Sequence, residues 1–452
     1  DPSMNWIKWS ALVLLAALAA GTAWAFDAQL ERQQQTRATE AERARRQQTE
    51  TERHRFAAQV VGLQWLNPLM RRGYPTEWNA LRTLGLAKPN ADDLQVKNKP
   101  EFFATVRPVA GIAFNLFGKQ TFEGYFQRYA IDLFAKLWER YFMSRHYFYS
   151  VAKGRRPPRD VAGIRVELAL PQGLDAGESA VHLRDEIISA FGTNDPKYSP
   201  SGTPPDVHVH QGGPAAGFTS LDAALDYLEA HPDKTVWVVA FDAPSFPKDE
   251  QINETGALLV LAHPDYQTGR EPLAWIHRPS RTPVGDAGAT WAWRETFADV
   301  AKQGELEPAA LGYVIHDAGQ GSAEASRRVG PLAQAMTETL PSKPFLEHSF
   351  NTAALLGELR AGTAATNLVL AIAYAHHRNV PVVVAATPET FAGEARADEP
   401  SVTAVLVRPP GHPTPFDPAK PWFRARGEGN AYLPWWSRRH NAEPQRMQGW
   451  SD

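Results

Sequence analysis

The stretch "KPFLEHSFNTAALLGELRAGTAATNLVLAIAYAHHRNVPVVVAATP", residues 343–388, decides the fold. "KPFLEHSF" reads as a strand. Residues 352–378 form a long apolar helical pattern, and "VPVVVAATP" is an uninterrupted apolar strand. A strand without polar alternation has both faces covered, and strand–helix–strand order places such strands in a layered α/β domain. Gly357-Glu358 followed by small residues stands at the mouth of the helix. Small side chains let a helix start close to a sheet. A carboxylate at that mouth is either catalytic or structural, and the rest of the chain decides which.

The same rhythm extends outward in both directions. "AGIRVELALP" and "PDVHVH" read as strands, with a helix at 179–191 between them. "SLDAALDYLEAH" is a helix, and "KTVWVVAFDAPS", "GALLVLAHP" and "EPLAWIHRP" are strands. A helix near 291–302 precedes the strand "ALGYVIHDAG", a helix at 322–338, and then the opening stretch; "SVTAVLVRP" closes the set. The echo between 161–283 and 284–435 predicts an internal duplication. Residues 436–452 form a polar tail.

Upstream the pattern differs. Asp1-Pro2-Ser3 ahead of Met4 reads as a leftover of expression. Residues 4–26 hold 18 uncharged positions from Trp9 to Phe26, enough to span a bilayer. "AWA" at 23–25 also suits signal-peptide cleavage, so anchor and leader both stand. Seven Arg between Arg32 and Arg55, against Lys8 alone before the run, place the bulk of an anchored protein in the cytoplasm, tethered to the inner membrane. Cleavage would make it periplasmic. Residues 27–60 read as a polar spacer, and 61–160 as a helical aromatic region ending at "GRRPPRD". Within it, "TFEGYFQRYAIDLFAKLWERYFMSRHYFY" repeats aromatics at three- and four-residue steps, giving one wide apolar face. That face packs on the next domain or docks a partner.

Composition narrows the function. The chain has 452 residues, a net charge of −3 and no cysteine. No large positive field is available for nucleic acid, and disulfides, thiolate metal sites and a cysteine nucleophile are excluded. His208 and His210 alternate on one strand, but no third metal ligand stands at a telling spacing. His376-His377 suits the end of a helix as a cap. There is no GxSxG elbow and no GxxxxGK[ST] loop, and no cofactor is implied.

Three stretches carry a family resemblance: "GFTSLDAALDYLEAHPDKTVWVVAFDAPS", "ALGYVIHDAGQGSAEASRRVGPLAQAM" and "LLGELRAGTAATNLVLAIAYAHHRNVP". In order and spacing, residues 165–410 resemble the thiolase and β-ketoacyl synthase superfamily. The resemblance implies a nucleophile turn and two histidine loops. It puts Gly217 or Phe218 at the nucleophile, His316 one residue from the first histidine, and Glu358 in place of the second. A carboxylate would repel a developing oxyanion, so Glu358 reads as structural, held by helix amides or an Arg.

With "NWIKWSALVLLAAL" and "LQWLNPLMRRGYPTEWNALRTLGL", the whole chain resembles the type VI secretion lipase adaptor family. That resemblance implies a non-enzymatic adaptor that recruits a phospholipase effector and loads it onto the secretion spike. Phe122, Phe126, Tyr129, Trp138 and Tyr141, with Trp422, Trp435 and Trp436, are the partner-binding candidates; the second group serves equally as a strap packed on the domain. The competing reading is an acyl-transfer enzyme using Ser220 as nucleophile and His316 as base.

Overall fold

The computed structural model describes residues 9, 12–15, 37, 39–70, 74, 76–90, 124, 126, 163–191, 203–243, 252–267, 271–388, 400–422 and 448. It divides into two units, Asp1–Arg55 and Phe56–Asp452. In the first unit, residues 39–55 form a largely exposed polar helix, with Arg46 paired to Glu42 at 2.5 Å. Among the described residues no helix is long and apolar enough to cross a membrane. Most of the expected membrane segment 4–26 lies outside them.

The second unit holds strands β1 (Ala57–Leu66), β2 (Arg165–Leu170), β3 (Asp206–Gln211), β4 (Thr235–Asp242), β5 (Thr255–Ala262), β6 (Ala274–His277), β7 (Ser280–Pro283), β8 (Tyr313–His316), β9 (Ser349–Asn351), β10 (Val382–Ala386) and β11 (Ser401–Arg408). Its helices are α1 (Thr76–Thr83), α2 (Ala176–Phe191), α3 (Ala216–Ala230), α4 (Ala289–Gln303), α5 (Ala323–Thr339), α6 (Thr352–Leu356) and α7 (Thr363–Arg378).

The strands form one mixed sheet in the order β3-β2-β4-β5-β1-β6-β11-β10-β8-β9, with β7 also paired to β11. Strands β2, β3 and β4 are parallel and β5 runs antiparallel to β4. Strands β8, β9 and β10 repeat that arrangement with β11 antiparallel to β10. Read inward from either edge, the order is the same, and the crossovers match: α2 and α3 in one half, α5 and the α6–α7 pair in the other. The duplication expected from the sequence is therefore present in the path of the chain.

Alternating side chains explain the layers. On β4, Val236, Val238 and Ala240 join one core, while Trp237, Val239 and Phe241 join another. The first core holds α3 and α7 between the two half-sheets; the second lies under α2; a third lies under α4 and α5, with Val314, Val383 and Leu406. Five layers result, and strands covered on both faces must be apolar throughout. Residues Thr363 to Ala373 of α7 are all buried, which is why small and apolar residues dominate that stretch.

Four expectations change. "KPFLEHSF" is a strand only at its end, since β9 is Ser349–Asn351 and the residues before it form turns. Residues 57–66 were assigned to the spacer and the helical region, yet they form β1, a fully buried strand paired with β5 and β6 at the centre of the sheet. Its polar Gln59 masks the strand pattern. That side chain is buried because its amide donates to the carbonyls of His263, Pro264 and Tyr266 at 2.8, 3.0 and 2.9 Å. The helix expected over 352–378 is interrupted: Gly357 at φ 76° ends α6, and a 3-10 turn at Arg360–Gly362 precedes α7. Finally, β7 has four residues and half-exposed character, too short to register as a strand by pattern.

Candidate functional site

The carboxyl ends of β4, β8 and β10 converge with the amino ends of α3 and α7. The second residues of the two central helices, Gly217 and Ala364, touch: a Cβ on Gly217 would stand 2.9 Å from Ala364 Cβ and 3.3 Å from Ala365 N. Phe218 is 3% exposed and points into the central core. Ser220 is fully buried on α3, and its hydroxyl has no hydrogen-bond partner among the described residues.

His316 ends β8 and is buried. Its Nδ1 accepts a weak bond from Ala318 N–H at 3.3 Å, and its ring lies 5.5 Å from that of Phe345. Burial, and then the positive charge of Arg328, lower its pKa to about 4. The imidazole is neutral at physiological pH and a weak base.

The next residue, Asp317, is also buried, and it organises the site. Its Oδ1 accepts from Thr387 N–H at 2.9 Å and Thr387 Oγ1 at 2.7 Å, and lies 3.3 Å from Arg328 Nη2. Arg328 Nε donates to the same Thr387 Oγ1 at 2.8 Å. Burial pushes the Asp317 pKa up, while Arg328 and the Thr387 donors pull it back. Arg328 reaches outward as well, with Nη1 3.6 Å from Glu358 Oε1. Glu358 is half-exposed, and the same oxygen stands 3.9 Å from where a Cβ would sit on Gly319. Glu358 thus faces an arginine and the loop after β8. Gly217 meets the start of α7 at Ala364, and Arg328 stands between Glu358, at 3.6 Å, and His316, whose pKa its charge lowers.

The sequence reading did not single out Asp317, Arg328, Thr387 or Asp242. Asp242 ends β4, is 1% exposed, and accepts Ala361 N–H on Oδ2 at 2.8 Å. Burial raises its pKa to about 7 against the opposing pull of that N–H, Arg360 and the Ala243 amide. Both aspartates stand at a strand end before a small residue, which is the signal that could have marked them.

The other candidates resolve individually. Phe126 is 2% exposed and stacks on Phe241 at 5.7 Å, and Trp422 is 3% exposed within the central core. Trp422 is tied by its main chain to Asn90 at 2.8 and 2.9 Å. Neither is a surface anchor, because each fills a core. Phe122, Tyr129, Trp138, Tyr141, Trp435 and Trp436 lie outside the described residues.

His208 faces Asp206 at 2.9 Å and His210 faces the fully buried Glu167 at 2.7 Å. Among the described residues no group of three or more His, Cys, Asp or Glu side chains could hold a metal ion. His376 and His377 do more than cap α7. His376 bonds Leu273 O at 2.8 Å and Thr414 N–H at 3.3 Å, and His377 pairs with the buried Glu77 of α1.

No family model and no curated protein matches the chain. Among solved structures it is similar to an oxazolomycin ketosynthase domain, KS8, from Streptomyces albus JA3453, with 12% identity, a TM-score of 0.45, and coverage of 82% of this chain and 100% of that one. It is similar to the ketosynthase from module 6 of the bacillaene synthase of Bacillus subtilis 168, with 10% identity, a TM-score of 0.48, and coverage of 78% and 71%. It is also similar to the peroxisomal 3-ketoacyl-CoA thiolase of Saccharomyces cerevisiae, with 10% identity, a TM-score of 0.45, and coverage of 79% and 98%. That thiolase is described as five layers built from two core domains of identical topology. All three TM-scores are below 0.5.

Proposed function

We propose that this protein is a non-catalytic scaffold that binds other proteins, an adaptor of the type VI lipase adaptor kind, built on a thiolase-like fold whose reaction centre has been filled in. The observation that carries the reading is the contact of Gly217 with Ala364. Of the two positions where the resemblance puts a nucleophile, Gly217 has no side chain and no room for one, since even a Cβ would meet Ala364 Cβ at 2.9 Å, and Phe218 is a core side chain that cannot attack a carbonyl.

Two neighbours support it. His316 is held neutral with a pKa of about 4, a poor match for a base near neutrality. Glu358 offers negative charge where a developing oxyanion would need donors. The Asp317–Arg328–Thr387 network beside them pairs opposite charges through Thr387, although Asp317 Oδ2 and Arg328 Nη2 have no hydrogen-bond partner among the described residues. A fold can keep its packing while its site is reused or lost. In this reading the chain holds a phospholipase effector in the producing cell and passes it to the spike.

The test is affinity capture of the full chain from its native bacterium, with mass spectrometry of bound proteins and of the chain itself. Recovery of a phospholipase together with a spike subunit is the expected result. Recovery of acyl carrier protein alone, with a stoichiometric acyl adduct on Ser220, would replace the adaptor with an enzyme.

A further inference from the structure

Residues 409–422, "PPGHPTPFDPAKPW", carry proline at six of fourteen positions. Proline has no N–H and cannot join a sheet ladder, so the segment runs as a strap. Three of its N–H groups are held by side chains from elsewhere in the chain. Thr414 N–H donates to His376 Nε2 at 3.3 Å, Asp417 N–H to Gln448 Oε1 at 2.7 Å and Trp422 N–H to Asn90 Oδ1 at 2.8 Å. The rings of Phe416 and Trp422 lie 6.3 and 6.0 Å from that of His377. Of the three acceptors, the two amides do not titrate and the imidazole does.

His376 is buried in the last turn of α7, and both of its ring nitrogens have fixed roles. Nδ1 lies 2.8 Å from Leu273 O, which can only accept, so Nδ1 carries a hydrogen. Nε2 receives Thr414 N–H, which can only donate, so Nε2 carries none. The docked strap therefore selects a neutral imidazole in one tautomer. We propose that residues 411–416 form an acid-released strap, seated on α7 while His376 is neutral and lifted when His376 takes a second ring proton. An imidazolium sets Nε2–H against Thr414 N–H and turns the bond into a repulsion. Residues 417–422 stay in place through Gln448 and Asn90, and serve as the hinge.

The charged groups on the surrounding elements are engaged elsewhere. Glu77, the buried carboxylate of α1, pairs with His377, and Glu271, ahead of β6, holds His412 of the strap at 2.9 Å. Asp417 accepts Ala419 N–H at 2.9 Å, and His277 of β6 accepts from Arg408 of β11 at 2.8 Å. Arg82 of α1, Arg378 of α7 and Lys420 of the strap are cations, and a further positive charge on His376 gains nothing from them. Tyr374 of α7 stays neutral across the acidic range, since burial pushes its hydroxyl up. In the docked state Nε2 thus faces Thr414 N–H and not a carboxylate. The strap does not depend on the adaptor reading, because it rests on the donor and acceptor roles alone.

Hydrogen exchange with mass spectrometry on the full chain, from about pH 7.5 down to about pH 5 and corrected for intrinsic rates, tests it. The peptide over 409–416 carries the Thr414 amide. If the lifted strap gives His376 an ordinary imidazole pKa, the opening constant rises roughly thirtyfold over that range. The Thr414 amide should lose protection on that profile while the β11 peptide over 401–408 does not. His376→Gln keeps a neutral acceptor at the reach of Nε2, so its profile should be flat. His412→Ala removes the pair with Glu271, and its profile should match the parent. Should His376→Gln not fold, the parent and His412→Ala still decide. Constant protection of Thr414, equal loss in β11, a profile kept in His376→Gln or one lost in His412→Ala would each overturn the strap.

Discussion

Gly217→Ala adds a single methyl group where the two central helices meet, and the geometry fixes the outcome. In an exposed helix interior the change would stabilise by about 0.5–1 kcal/mol. Here the new Cβ would stand 2.9 Å from Ala364 Cβ, a separation that real Cβ pairs do not adopt, and 3.3 Å from Ala365 N. Neither neighbour is the far end of a flexible side chain, so a helix must shift. α7 is wedged between both half-sheets, and overpacking of this kind costs about 1–3 kcal/mol. The net expectation is a loss of about 1–2 kcal/mol.

Urea denaturation followed by tryptophan fluorescence should show a lower midpoint with an unchanged slope. Ala364→Gly removes the opposing methyl, so the double variant should be more stable than the sum of the singles by about 1–3 kcal/mol. If Gly217→Ala is as stable as the parent, or if the two substitutions simply add, the helices are not in forced contact. Space for a nucleophile would then exist, and the filled-in site would lose its main support.

Two further outcomes follow from the charges. Replacing Arg328 by Met strands the buried Asp317 and should cost about 3–5 kcal/mol, whereas Glu358→Gln, at a half-exposed partner 3.6 Å away, should cost under about 1 kcal/mol; urea midpoints compare the two, and similar losses would mean that Glu358 anchors the network. For Asp242, the folded state holds its proton more tightly than the unfolded chain, so its stabilising share is complete below pH 4 and is lost as pH rises through about 7. A shift of about 3 units corresponds to about 4 kcal/mol, so urea titrations at pH 5 and 8 should show a drop that Asp242→Asn lacks.

What the sequence made legible depended on the faces available to each segment. Strands such as Val382–Ala386 and Thr235–Asp242 are apolar throughout because cores lie on both sides, and they read plainly. β1 did not, because Gln59 and Gln64 break its pattern while both are buried, and its partners stand some 190 residues away. The interruption at Gly357–Gly362 was hidden because small residues suit both helix and turn.

At the candidate site, Gly217, His316 and Glu358 were singled out through loop spacing. Arg328 was missed although its helical face gives it away: Ala325, Arg328, Leu332, Ala335 and Met336 are the buried positions of α5, and an arginine on that face requires a carboxylate beneath it. The burial of Phe126 and Trp422 was hidden for a related reason. Phe126 and Trp422 are large enough to be either anchors or filling, and only the packing distinguishes the two.

The central place of β1 has a consequence for how the chain comes off the ribosome. "AAQVVGLQWL" is translated early, yet its two neighbours, Thr255–Ala262 and Ala274–His277, follow roughly 200 residues later. At typical synthesis rates that leaves a largely apolar strand with both edges bare for roughly 10–40 s. Until the second half of the first repeat has emerged, this segment is an open template for wrong pairing.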